Sequence, residues 1–174
     1  VEDLKAVYQG NVDEVAFVVG DFGKQVEKEL ISIANNLGAE GRIYYQTQPL
    51  GVAHAILCAK ESLSGNVFIA FSDTLFKADF HFDHNEEGII WVKNVQDPSA
   101  FGVVTADEGQ TITGFVEKSP VFVSDLAIVG LYYVREGEYL RDQIQYLIDK
   151  NLKDKGEFQI TSVLENMRQA GYRF

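Results

Sequence analysis

Residues 67–74, Val-Phe-Ile-Ala-Phe-Ser-Asp-Thr, decide the fold of this chain. The first five form an unbroken apolar run, which is typical of a strand that is buried on both faces. A second such run, Val15–Val19, is bounded by acidic residues and by Gly20. From this apolar character we expect Val15–Val19 and Val67–Phe71 to be neighbouring strands at the centre of a mixed α/β sheet.

Helical patterns separate the predicted strands of the first half. Apolar residues recur at helical spacing from Val26 to Leu37, and Gly38 is the expected C-terminal cap. Arg42–Gln46 is a predicted strand and Val52–Ser62 a predicted helix. Strands that alternate with helices in this way indicate a parallel sheet.

The second half predicts strands joined by turns, followed by two helices. The expected strands are Ile89–Val95, Gly102–Thr105, Thr111–Glu117 and Leu126–Val134. A hairpin turn is predicted at Asp107–Gln110, and helices over Glu138–Lys150 and from about Ser162 to Ala170. Because no Ser/Gly-rich linker or internal repeat interrupts the pattern, residues 1–174 are expected to be one α/β domain with helices outside a mixed sheet.

The composition excludes two classes of function. With 15 Lys and Arg against 26 Asp and Glu, the net charge is −11. This charge would repel a nucleic-acid backbone, so a phosphate ligand must be small and held by metal ions or a few basic side chains. No apolar run approaches the ~20 residues of a membrane helix. From the charge and the short apolar runs, we expect no nucleic-acid or membrane partner. Because the single cysteine, Cys58, cannot form an internal disulfide, we expect a cytoplasmic protein.

Asp73 is the first candidate for chemistry, since it follows a predicted buried strand. Ligands of open α/β sheets sit at the carboxyl ends of strands, where a carboxylate can hold Mg²⁺ against a substrate phosphate. An aspartate can equally cap the next turn. Asp73 alone leaves both interpretations open.

The stretch Gln48-Pro-Leu-Gly-Val-Ala53 is the second candidate. Gly51 allows a tight turn and a close approach of the backbone to a flat ring, and the Gln48 amide could hydrogen-bond a base edge. An ordinary loop punctuated by proline and glycine is the alternative.

Glu117-Lys118 is the third candidate, at the end of a predicted strand. A carboxylate can accept hydrogen bonds from two neighbouring sugar hydroxyls, and a lysine can contact a phosphate. Because adjacent strand residues point to opposite faces, the pair could serve one ligand only if the strand ends or bulges there. An exposed charge pair is the alternative.

Two other groups are given no functional role. His81, Asp83 and His84 lack further ligands at zinc spacing and are interpreted as a solvated loop. His54 and Cys58 lie four residues apart on a predicted helix, and Cys58 is interpreted as a core residue.

Five motifs, taken in order along the chain, carry a family resemblance. They are Gln48-Pro-Leu-Gly-Val-Ala-His-Ala, Ser72-Asp-Thr-Leu-Phe, Val95-Gln-Asp-Pro-Ser-Ala-Phe-Gly-Val-Val, Phe115-Val-Glu-Lys and Ser124-Asp-Leu-Ala-Ile-Val-Gly-Leu-Tyr. The chain resembles the sugar-1-phosphate nucleotidyltransferases from about Val15 to Phe174, especially the glucose-1-phosphate thymidylyltransferase-like and uridylyltransferase-like members. The resemblance implies a Rossmann-like three-layer fold with a mixed, mainly parallel central sheet.

The resemblance also implies roles for the candidate residues. Gln48 and Gly51 would contact the nucleotide base, and Asp73 would bind Mg²⁺ beside the α-phosphate. The sugar-phosphate site would be formed by Gly102, Glu117, Lys118 and the Ile128 backbone, with Lys118 contacting the phosphate and Asp73 and Lys118 serving catalysis.

The implied reaction joins two phosphorylated substrates. An oxygen of a sugar-1-phosphate attacks the α-phosphorus of a nucleoside triphosphate, expected to be dTTP or UTP, and gives a nucleotide-sugar and pyrophosphate without a covalent enzyme intermediate. The alternative is a non-catalytic regulatory or sugar-nucleotide-sensing protein of the same fold. The resemblance is also compatible with a homo-oligomer.

Two departures from the family pattern qualify these expectations. The family's Gly-rich triphosphate loop would precede Val1, so the resemblance implies a domain that is incomplete at the N-terminus, and at the C-terminus as well, and inactive as it stands. Ser162 occupies the place where the family usually has an aspartate as second metal carboxylate. Ser162–Glu165 also has the form of a capping box that would begin the final helix.

Overall fold

In the computed structural model, the described residues are 12–74, 83 and 85–174. This part of the chain forms seven strands, four α-helices and a short 3₁₀ helix. The strands are β1 (Glu14–Val19), β2 (Glu40–Tyr45), β3 (Val67–Ala70), β4 (Gly88–Asn94), β5 (Gly102–Ala106), β6 (Ile112–Glu117) and β7 (Leu126–Val134). The helices are α1 (Lys24–Asn36), α2 (Val52–Cys58), α3 (Gly137–Asp149) and α4 (Ile160–Gln169), with the 3₁₀ helix at Lys60–Ser62. The mixed α/β class is confirmed, although the helix predicted over Val52–Ser62 stops at Cys58. His81 and His84 lie outside the described residues.

The first half contains a βαβ unit. β1 and β2 form a two-stranded parallel sheet, with Glu14 opposite Glu40 at one end and Val19 opposite Tyr45 at the other. α1 connects the two strands and packs against β2. The predicted alternation of strand and helix is therefore correct for this unit.

The larger sheet has five strands, in the order β3-β7-β5-β6 with β4 also paired to β7. Its four pairings are all antiparallel. The expectation of a mainly parallel sheet is therefore wrong for the described residues. β5 and β6 are joined by a short turn, and a short turn can join only antiparallel strands, whereas the other three pairings join β7 to strands distant in sequence. The predicted hairpin at Asp107–Gln110 is such a turn, in which the Asp107 carboxylate accepts the Gly109 and Thr111 N–H groups at 2.9 Å each.

The two strands that were expected to be central neighbours are not paired. Among the described residues, β1 pairs with β2, whereas β3 pairs with β7 at one end of the larger sheet. The prediction is wrong because an unbroken apolar run shows only that both faces of a strand are covered. It carries no information about which strand lies alongside.

The most buried part of the core lies where α3 and α4 meet the sheet. Its fully buried side chains are Val134, Leu140, Ile144, Val163, Leu164 and Met167. None of the helices in the described ranges is both long and apolar enough to cross a membrane.

The final helix begins earlier than the sequence predicts. α4 starts at Ile160 after Gln159 as N-cap, without a side-chain cap, so Ser162 is its third residue. The predicted capping box is therefore wrong. The Glu165 carboxylate instead accepts the Phe115 N–H of β6 at 3.1 Å and an Arg168 N–H at 2.7 Å. By accepting the Phe115 N–H, Glu165 joins α4 to the outer strand of the sheet.

Candidate functional site

The predicted metal ligand, Asp73, lies in the turn that follows β3, which we call the Asp73 turn (residues 71–74). β7 holds this turn, since the Phe71 N–H donates to Gly130 O at 3.0 Å and the Thr74 hydroxyl donates to Val129 O at 2.8 Å. Gly130 has a φ of 80°, and a Cβ there would lie 2.8 Å from the Phe71 ring. The Asp73 side chain is exposed and makes no hydrogen bond or ion pair with the described residues.

The predicted nucleotide-contacting residues lie in the 46–51 turn, between β2 and α2. Gln48 is exposed, and its carbonyl accepts the Leu50 N–H at 2.9 Å. Gly51 has a φ of 109°, and a Cβ there would lie 2.6 Å from Phe158 O. Both the backbone angle and the close approach require glycine. At the start of the turn, Gln46 Nε2 donates to Gly51 O at 3.0 Å.

The predicted sugar-contacting residues surround one carboxylate, and we call them, with one further residue, the Glu117 cluster. The cluster comprises Gly102 on β5, Glu117 and Lys118 at the end of β6, Ile128 on β7 and Thr161 on α4. Glu117 is 8% exposed, and Thr161 donates its hydroxyl hydrogen to Glu117 Oε2 at 2.9 Å. A Cβ at Gly102 would lie 2.9 Å from Thr161 Cγ2, 3.0 Å from Glu117 Oε2 and 3.5 Å from Ile128 Cδ1. Glycine therefore allows Thr161, Glu117 and Ile128 to pack closely around this position.

The end of β6 explains how Glu117 and Lys118 can face the same space. Lys118 has a left-handed φ of 39°, so the strand and its alternation end at Glu117. Lys118 Nζ consequently lies 3.7 Å from Glu117 Oε1 while its side chain stays half exposed. Lys155 supports this corner, because its ammonium group donates to Glu117 O at 3.0 Å and also to Lys118 O.

Hydrogen bonds connect the three regions. The Phe158 N–H donates to Leu50 O at 2.8 Å and the Ala53 N–H donates to Phe158 O at 3.0 Å, which ties the 46–51 turn to the segment before α4. Thr161, three residues later, holds the Glu117 carboxylate. β7 links the Glu117 cluster to the Asp73 turn, since residues 128–130 contact both. The structure therefore brings the predicted site residues into one connected region.

The electrostatics of this region combine one buried negative charge with exposed positive ones. Burial raises the pKa of the Tyr132 phenol, and the charge of the nearby Glu117 raises it further. Within residues 12–74, 83 and 85–174, no group of three or more His, Cys, Asp or Glu side chains could hold a metal ion by itself. A carboxylate with free acceptor capacity beside an ammonium group suits a phosphorylated sugar.

Sequence reasoning missed three residues of this region. Gln46 was assigned to a strand, although β2 ends at Tyr45 and Gln46 is the first residue of the 46–51 turn. Lys155 lies far along the chain in a Lys-Gly pair, and its contact with the end of β6 depends on tertiary structure. Thr161 had a signal, because it directly precedes Ser162 in the family motif, yet its partner Glu117 could not be read from spacing.

Comparisons with known proteins give a consistent result. The profile of the nucleotidyl transferase family matches residues 2–174. The chain is 36% identical over 141 residues to the mannose-1-phosphate guanylyltransferase catalytic subunit beta of Drosophila melanogaster, covering 76% of this chain and 38% of the relative. It is 27% identical over 179 residues to a low-salt glycan biosynthesis nucleotidyltransferase of Haloferax volcanii, covering 99% of this chain and 48% of that protein. The chain thus spans less than half the length of these curated relatives.

Solved structures share the fold. A nucleoside-diphosphate-sugar pyrophosphorylase from Vibrio cholerae superposes with a TM-score of 0.78 at 19% identity, over 99% of this chain and 74% of that one. A UDP-glucose pyrophosphorylase complexed with UDP-glucose superposes with a TM-score of 0.69 at 22% identity, over 93% and 71%.

Proposed function

The chain belongs to the nucleotidyl transferase family, and from this premise we propose that it transfers a nucleotidyl group from a nucleoside triphosphate to a sugar-1-phosphate in nucleotide-sugar biosynthesis. The observation that carries the proposal is the Glu117 cluster. It offers a buried, oriented carboxylate with an adjacent ammonium group, and Gly102 lets these side chains pack closely together.

The sugar-1-phosphate occupies the Glu117 cluster. Glu117 accepts hydrogen bonds from sugar hydroxyls, while Thr161 keeps its carboxylate in one orientation. Lys118 contacts the sugar phosphate, and the Ile128 backbone lines the pocket. The attacking phosphate oxygen then forms a bond to the α-phosphorus as the bond to the pyrophosphate oxygen breaks, so positioning and charge neutralisation supply the catalysis.

The nucleotide occupies the neighbouring 46–51 turn and Asp73 turn. The Gly51 backbone would contact the base, and the exposed Gln48 amide can hydrogen-bond a base edge. Asp73 fits Mg²⁺, because an exposed carboxylate with no protein partner among the described residues can bind the ion together with substrate phosphates. When bound, Mg²⁺ supplies positive charge at the α-phosphate.

An activity assay can identify which nucleotide base and which sugar the protein uses. The 36% identical relative is named for mannose-1-phosphate and a guanylyl group, whereas the sequence motifs favour dTTP or UTP with glucose-1-phosphate. We propose to assay pyrophosphate release by the full-length protein from every pairing of GTP, dTTP and UTP with mannose-1-phosphate and glucose-1-phosphate. One pairing should be turned over in a Mg²⁺-dependent manner. Nucleotide-sugar binding without turnover of any pairing would support the alternative, a regulatory or sensing protein.

A further inference from the structure

Two side chains close the 46–51 turn from outside the predicted contact residues. Gln46 Nε2 lies 3.0 Å from Gly51 O and 3.1 Å from His54 Nδ1. Gly51 O also accepts the Ala55 N–H at 3.1 Å, the first hydrogen bond of α2. Gln46 therefore connects the start of the turn both to its end and to the first turn of the helix that follows.

The hydrogen-bond partners determine the orientation of both side chains. A backbone carbonyl can only accept, so the amide group that faces Gly51 O must be the NH₂ of Gln46. The second hydrogen of that NH₂ is then available to His54 Nδ1, which must be unprotonated to accept it. The hydrogen bond therefore favours the His54 tautomer with its proton on Nε2. The Cys58 thiol, 4.0 Å from the same nitrogen, is only a weak competing donor.

We propose that Gln46 and His54 are positioning residues for the nucleotide, which rests on the proposed function. The pair holds the 46–51 turn in the conformation in which the Gly51 backbone can lie against a base. A turn that is already ordered loses less conformational entropy on binding than one that the ligand must order. His54 acts through Gln46 and does not itself contact the substrates.

The substitution His54→Leu tests the proposal, because it removes the acceptor and keeps an apolar side chain at a half-buried position. The expected result is a rise of about two- to tenfold in KM for the nucleoside triphosphate, the effect of one lost hydrogen bond. The turnover number and KM for the sugar-1-phosphate should stay near wild-type values. GTP, dTTP and UTP are each assayed.

Two further variants separate positioning from a general structural effect. His54→Asn places a carbonyl oxygen close to the site of Nδ1 and should restore wild-type KM. Cys58→Ala removes the weak competing donor and should change nothing. An unchanged KM in His54→Leu, a parallel change of all kinetic constants, or no restoration by asparagine would overturn the proposal.

Nitrogen-15 NMR of labelled histidine tests the pair without any turnover, so its result is independent of the proposed function. The expected spectrum of wild-type His54 shows a protonated Nε2 and an unprotonated, hydrogen-bonded Nδ1. In Gln46→Leu the hydrogen-bond shift at Nδ1 should disappear. A proton on Nδ1 in the wild-type protein would overturn the proposal even if nucleotidyl transfer is observed.

Discussion

The Glu117 cluster and the Asp73 turn present carboxylates in opposite ways. Glu117 is almost fully buried, held by Thr161 and clustered with residues from three other elements, β5, β7 and α4. Asp73 is exposed and has no polar partner among the described residues, although the turn that carries it is tied to β7. In the proposed function, this difference means that sugar recognition would be built into the fold, whereas the metal site would become complete only with the phosphates of the substrate.

The largest expected effect is that of Asp73→Asn, which tests the exposed side of this comparison. Losing the proposed Mg²⁺ ligand should lower kcat/KM by about 100-fold or more, because charge neutralisation at the α-phosphate would be weakened. The thermal unfolding temperature should be unchanged, since the Asp73 side chain makes no hydrogen bond or ion pair with the described residues. A variant with normal activity would place the metal elsewhere.

Glu117→Gln tests the buried side and should act on one substrate only. The neutral amide weakens hydrogen bonds to sugar hydroxyls, so KM for the sugar-1-phosphate should rise about tenfold while KM for the nucleoside triphosphate stays constant. Steady-state kinetics with each substrate varied in turn measures the split. Equal increases in both KM values would argue against a dedicated sugar site.

Gly102→Ala tests whether sugar binding depends on the close packing around Gly102 in the Glu117 cluster. The added Cβ would lie 3.0 Å from Glu117 Oε2 and 2.9 Å from Thr161 Cγ2, so both side chains must shift and KM for the sugar-1-phosphate should rise about fivefold. Gly114→Ala is the matched control on the adjacent strand, where the Cβ would meet Thr105 Oγ1 at 3.0 Å. The control should leave KM unchanged, and a similar rise in both variants would contradict the assignment.

Glu165→Gln should have the smallest effect, on stability and not on catalysis. The hydrogen bond from Arg168 lowers the pKa of the Glu165 carboxyl. Its contribution is therefore present above the unfolded-state pKa of about 4.3 and is lost as pH falls through the lower folded-state pKa. The free energy of unfolding of the wild-type protein should exceed that of the variant by at most about 1 kcal/mol at pH 7. This difference should become smaller in acid. Chemical unfolding at several pH values measures it, and a gap that widens in acid would reverse the assigned sign.

The sequence predicted the elements of the fold better than their arrangement. Local periodicity located β1, β3, α1 and α3 closely because each pattern is set by burial within one segment. The pairing of β3 with β7 joins segments far apart in sequence, and no local pattern encodes such a choice. The same limit applies to α4, whose predicted capping box gave way to the contact between Glu165 and β6.

The candidate site was predicted as separate motifs, and what joins them required the structure. Gly51 and Gly102 were identified from motifs, yet the reasons they must be glycine are contacts with Phe158 and with Thr161, which are distant in sequence. Whether Glu117 and Lys118 could face one ligand depended on a backbone angle at Lys118 that sequence spacing does not specify.

Calorimetric binding of nucleotide-sugars tests the central comparison most directly, because the product occupies the base and sugar sites without the pyrophosphate. GDP-mannose, UDP-glucose and dTDP-glucose are each titrated into wild type, Glu117→Gln and Asp73→Asn. For the nucleotide-sugar that the wild-type protein binds, Glu117→Gln should raise Kd about tenfold, whereas the Kd of Asp73→Asn should stay close to the wild-type value. Unchanged binding in Glu117→Gln, or a greater loss in Asp73→Asn, would contradict this comparison.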